Sequence, residues 1–144
     1  LGNPPNFNTC TRDVFDEATT FTEEQLLKLA RSIASVSAQL HRKGINHGDL
    51  YAHNILVNES ADCLLGDFGA ATYYDVSSVL AHNIERVEVR AFGCLVEDLL
   101  GVVTESNRQN ASFEKWLKLI DKCSVPVVKT RLSFTEIVDE LAGF

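Results

Sequence analysis

The sequence predicts a mainly α-helical domain that carries one small β-hairpin. Three observations predict it. Two capping boxes open helices, a third helix reads as apolar around nearly its whole circumference, and two short apolar runs flank a polar turn. With 144 residues the chain is long enough for one core. Apolar residues make up 45% and charged residues 23%, an ordinary globular balance. The net charge of -7 argues against a nucleic-acid or anionic-membrane surface, so neither partner is expected. No signal peptide or long apolar span occurs, and a cytoplasmic domain is expected. Cys10, Cys63, Cys94 and Cys123 form no C-x-x-C pair, so no zinc site is expected. They read as reduced thiols used as small core residues.

Residues 1–20 read as a loop with one helical turn around Arg12–Phe15. The next stretch, 22–43, is the clearest helix. Thr22 and Gln25 form a capping box, with Phe21 and Leu26 placed as a hydrophobic staple. Leu26, Leu29, Ile33, Val36 and Leu40 then recur at helical steps, and Gly44 supplies a left-handed stop. Ile55-Leu56-Val57 and Cys63-Leu64-Leu65 read as strands of a hairpin around a polar turn at 58–62. Residues 70–84 lack periodicity and read as a loop or a weakly specified helix. A buried central helix is predicted over 85–100, with Gly101 as its stop. A polar linker from Thr104 to Asn110 leads to a helix over 112–122, with Trp116, Leu117 and Ile120 inward. Ser133 and Glu136 form the second capping box, which opens a last helix to Ala142.

The chemistry-bearing residues gather around the hairpin. His47-Gly48-Asp49-Leu50-Tyr51-Ala52-His53-Asn54 precedes its first strand, and Asp67-Phe68-Gly69 follows its second. The hairpin returns the chain so that Asp49, Asn54 and Asp67 converge. Phosphoryl transfer needs a carboxylate to orient the attacking hydroxyl and hard oxygen donors for Mg²⁺ beside the nucleotide phosphates. Asp49 suits the first task, Asn54 and Asp67 the second. Taken alone, each is an ordinary capping or turn residue.

The order H-x-D-x-x-x-x-N then D-F-G resembles the catalytic and metal-binding loops of the protein-kinase family. The segment Glu88 to Gly93 resembles that family's D-x-W-S-x-G, and Arg131 to Ile137 its R-P-S-F-x-E-I ending. The resemblance covers residues 20–144 and implies a protein-kinase C-terminal lobe: a helical bundle around a buried central helix, with a small β-hairpin carrying the catalytic loops. It implies that Asp49 is the catalytic base, that Asn54 and Asp67 hold Mg²⁺, and that Leu56 floors the adenine of ATP. It also implies that His47 packs on Phe68.

Several positions depart from the family pattern. Gly48 replaces the arginine of H-R-D, and Tyr51 stands where Ser/Thr kinases place a lysine. Glu88 replaces an aspartate, one methylene longer, and is expected still to reach the catalytic-loop backbone. The segment between Gly69 and Glu88 is short, and Glu85 is the nearest stand-in as a partner for Arg131. No G-x-G-x-x-G loop and no strand lysine occur, so the resemblance places the N-terminal lobe before Leu1. Residues 1–144 are thus expected to form the C-terminal lobe alone, binding ATP weakly. The reading that results is an ATP-dependent protein kinase of Ser/Thr type acting on a protein hydroxyl. A small-molecule phosphotransferase of the aminoglycoside- or choline-kinase kind and a non-catalytic scaffold stand beside it.

Overall fold

A computed structural model describes residues 1–10, 12–104 and 111–144. Four helices form most of it: α1 (Glu23–Arg42), α2 (Ala81–Gly101), α3 (Ala111–Ser124) and α4 (Phe134–Ala142). Two two-stranded antiparallel sheets lie between α1 and α2 in sequence. β1 (Ile45–Asn46) pairs with β4 (Thr72–Tyr73), and β2 (Ile55–Val57) pairs with β3 (Cys63–Leu65). α1 lies against α4, and α2 lies against α3.

α1 begins as its capping box predicts. Thr22 Oγ accepts the Gln25 amide, and the Gln25 side chain accepts the Thr22 amide at 2.9 Å. Its buried face runs through Leu26, Leu29, Ala30, Ile33, Ala34, Ser37, Ala38 and His41. Val36 and Leu40 are only half-buried, because the stripe at 3.6 residues per turn passes through smaller residues there. Gly44, at φ +68°, ends the helix.

α4 carries the second capping box, between Ser133 and Glu136. Glu85 accepts the Phe134 amide at 2.9 Å, a further orphan donor of that helix start. At the other end Arg31 donates to the Leu141 carbonyl at 2.8 Å and 3.1 Å.

α2 starts at Ala81, four residues before its predicted start, because no side-chain cap marks the boundary. Gly101 is its last residue rather than a left-handed stop, and Val102 caps it at φ −104°. Val89 and Phe92 are fully buried, while Val87 is exposed, so the helix has one wet flank. On α3, Trp116, Leu119, Ile120 and Cys123 face inward, and Leu117, predicted inward, is exposed. Gly93 lets α2 approach α3, since a Cβ there would lie 2.7 Å from Cys123 Cβ. The predicted linker falls almost entirely on 105–110, outside the described residues.

Residues 12–15 form no helical turn. Val14 exchanges backbone hydrogen bonds with Asn3, and Asp13 is drawn inward. Residues 70–84 hold an unpredicted strand, β4, in register Ile45↔Tyr73 and Asn46↔Thr72. Two residues are too few to show an alternating pattern. Among the described residues no helix is long and apolar enough to cross a membrane.

Candidate functional site

The loop from His47 to Asn54 is held from below by α2. Glu88 Oε1 accepts the Gly48 amide at 2.6 Å, and Oε2 accepts the His47 amide at 3.2 Å. The longer side chain therefore does reach the loop backbone. Burial alone pushes the Glu88 carboxyl up. Hydrogen bonds from His41 and the Gly48 amide, the His41 charge and the His47 amide outweigh it and leave it below the ordinary glutamate range.

Gly48 sits at φ +80°, and a Cβ there would lie 2.6 Å from the Ala70 carbonyl oxygen. The segment after Asp67-Phe68-Gly69 thus runs directly over the loop. A side chain at 48 would oppose both the backbone conformation and this contact.

Asn54 Nδ2 donates to the Asp49 carbonyl and to Asp49 Oδ2, both at 2.9 Å. The hairpin brings its far end back by two bonds. The Gly66 amide donates to the Asn54 carbonyl at 2.8 Å, and His47 Nε2 donates to the Gly66 carbonyl at 2.8 Å. Asp67 follows in the left-handed region, at φ 46° and ψ 76°, with Oδ1 accepting the Gly69 amide. Asp49 and Asn54 are thus in direct contact. Asp67 joins them through the backbone of Gly66, without a hydrogen bond of its own to either. Phe68 packs edge-on against His47 with centroids 4.7 Å apart, as the resemblance implied.

Leu56 lies on β2 opposite Leu64, and both are largely exposed, at 68% and 69%. Leu64 was not predicted as a site residue; register, which the sequence does not state, puts it on the same apolar face. Asn54 and Asp67 also suit a hard cation. The amide nitrogen of Asn54 is committed to Asp49, which leaves its oxygen as the free donor type. Asp67 adds a carboxylate.

A second set of residues was not legible as part of the site. Asp13, with its side chain almost fully buried, accepts the His53 amide at 3.1 Å and the His53 ring Nδ1 at 2.7 Å. This ties the N-terminal segment to the loop through the backbone and side chain of His53. His53 also stacks on Tyr51, whose phenol is pushed up by burial and by the Asp49 charge. Leu50 and Tyr51 border a cavity of about 380 Å³ that Arg12, Arg90, Cys94 and Asp98 also line. Arg12 closes one wall through ion pairs to Glu97 and Asp98.

Arg131 does not pair with Glu85. Its Nε donates to the Val125 carbonyl and its Nη1 to the Arg86 carbonyl, at 2.7 Å and 2.9 Å. Glu85 instead serves the start of α4, which is nearer its carboxylate. The cysteines are free. Cys123 is buried and its thiol is pushed up to about 12 by burial, but Cys10 is exposed and is not a core residue.

Residues 7–91, more than half of the chain, match the family model described as "Protein kinase domain". The serine/threonine-protein kinase US3 of human herpesvirus 1 (strain 17) is 41% identical over 49 residues, 34% of this chain and 10% of that protein. The CTD kinase subunit alpha of Schizosaccharomyces pombe is 36% identical over 67 residues, 46% of this chain and 11% of that protein. The tyrosine-protein kinase receptor TYRO3 of Danio rerio is 26% identical over 165 aligned positions, covering 88% of this chain and 19% of the receptor. The chain spans between a tenth and a fifth of the length of these relatives.

Proposed function

Because the chain belongs to the protein kinase domain family, we propose that it is the C-terminal catalytic lobe of an ATP-dependent protein kinase of Ser/Thr type. The observation that carries this reading is the Asp49–Asn54 contact on a loop whose amides are clamped by Glu88. A carboxylate fixed in this way is preorganised to orient an acceptor hydroxyl and to take its proton.

In this reading Asp49 is the base. Asn54 and Asp67 are the residues that would hold Mg²⁺. The cation supplies charge neutralisation at the nucleotide phosphates. Leu56 would lie under the adenine ring, consistent with its open position on β2. The glycine-rich loop and strand lysine of such enzymes would come from an N-terminal lobe outside these residues. The acceptor hydroxyl would approach Asp49 beside Tyr51, where the 380 Å³ cavity begins.

That cavity also supports a second reading. Tyr51, which lines it, stands where Ser/Thr kinases place a lysine, and a small hydroxyl compound fits such a volume better than an extended peptide. Labelled ATP offered with protein and small-alcohol acceptors separates the two. In the intact protein, Asp49→Asn is expected to lower kcat by at least about 100-fold, the range of a positioned general base. Unchanged phosphoryl transfer in both Asp49→Asn and Asp67→Ala would remove the assignment. Nucleotide binding without transfer to any acceptor would favour a scaffold.

A further inference from the structure

We infer that Tyr74 is a positioning residue for the catalytic loop, acting through His41 and Glu88. The inference rests on the kinase reading for its consequence in catalysis, but not for the physical coupling itself.

Tyr74 lies just past β4, on the segment that follows Asp67-Phe68-Gly69. Its hydroxyl is 2.8 Å from His41 Nδ1 and 3.2 Å from the His41 carbonyl oxygen. The other ring nitrogen of His41, Nε2, is 2.7 Å from Glu88 Oε2. Glu88 in turn accepts the His47 and Gly48 amides. Four elements are therefore joined in one line: the post-D-F-G segment, the end of α1, α2 and the loop that bears Asp49.

The chemistry of the line has a fixed direction at one end. An ionised carboxylate only accepts, so His41 Nε2 carries the proton it shares with Glu88. The Nδ1 side then meets Tyr74, either accepting from its hydroxyl or, in the charged ring, donating to its oxygen. Tyr74 can satisfy both cases, and phenylalanine can satisfy neither. His41 and Glu88 side chains are only 3% exposed, so water does not readily replace a missing partner. Burial also pushes the Tyr74 phenol up to about 12, so it stays protonated across the working pH range.

The backbone fixes Tyr74 in place. Its amide donates to the Gly44 carbonyl at 2.8 Å, and a Cβ on Gly44 would lie 2.3 Å from the Tyr74 carbonyl oxygen. Tyr73, its neighbour, points outward and is 86% exposed. Only one of the adjacent tyrosines is therefore in the line.

The test uses the intact protein with Tyr74→Phe, Tyr73→Phe as a control, and Asp49→Asn. Two readouts are taken: steady-state kinetics, and amide hydrogen exchange over residues 45–50. For Tyr74→Phe, exchange in 45–50 is expected to rise roughly 3- to 10-fold, the effect of one hydrogen bond. Exchange in the middle of α1 should not change, and kcat should fall by a similar factor with KM for ATP kept. Tyr73→Phe should match the wild type in both.

Unchanged exchange in 45–50 overturns the inference, as does an equal rise across α1 and α2, which would mark general loosening. A rise confined to 45–50 with kcat unchanged overturns it as well. If instead Asp49→Asn leaves transfer intact, the kinase assignment fails, and hydrogen exchange alone decides the coupling.

Discussion

Glu88 makes the loop geometry sensitive to acid. Its carboxyl is held below the ordinary value of 4.5 in the folded chain, so the folded state binds fewer protons there than the unfolded one. The stability it contributes is complete above pH 4.5 and is lost as pH falls through the folded value. Urea midpoints measured between pH 7 and pH 3 should therefore decline below that point. Glu88→Gln should flatten that part of the decline while being less stable at neutral pH, where the His41 contact and two loop amides lose their charged acceptor. An unchanged pH profile in the variant would count against this account. Gly48 shows why a residue type alone can mislead. Its sequence reading is the loss of an arginine, whereas its structural role is an absent Cβ under the Ala70 carbonyl.

Between helices, Gly93 sets a close fit. A methyl carbon on Gly93 would lie 2.7 Å from Cys123 Cβ, below any normal carbon contact, so α2 and α3 would have to part. Gly93→Ala gains helix propensity but overpacks the interface, and the overpacking is larger. A net loss of about 1–2 kcal/mol is expected by chemical denaturation. Cys123→Ala does not relieve the clash, because its Cβ remains. The capping boxes of α1 and α4 needed no tertiary information, since each is a closed exchange between residues three apart. The start of α2 lacks such an exchange, and β4 is defined only by its partner β1, so neither was legible.

Across the whole molecule, burial separates the four thiols. Cys10 is exposed and Cys123 fully buried, with its thiol pushed up to about 12 by burial. A thiol reagent at pH 7 should modify Cys10 within minutes. Cys123 should react only as the core opens, so its labelling rate in urea should track global unfolding. Rapid modification of Cys123 in the native protein would mean that α2 and α3 separate locally. The core around it joins Trp116, Phe92 and Phe134 with α1 residues such as Leu26 and Ile33. Glu88, which holds the His47 and Gly48 amides, stands on the same helix as Phe92.

The sequence by itself determined the helical class, the capped starts of α1 and α4, the hairpin, and that Asp49 and Asn54 share one loop with Asp67 just past the hairpin. These are carried by residue type and short spacing, which a chain expresses locally. Only the tertiary structure decided that Asp13 anchors His53, that Arg131 binds carbonyls rather than Glu85, and that Tyr74 meets His41. Apart from Arg131 Nε and the Val125 carbonyl, six residues away, those contacts join groups far apart in sequence, and each is chosen by which polar group lies nearest when the helices close. His41 illustrates the division. It closes the buried stripe of α1 as a polar residue, and its two partners lie 33 and 47 residues away.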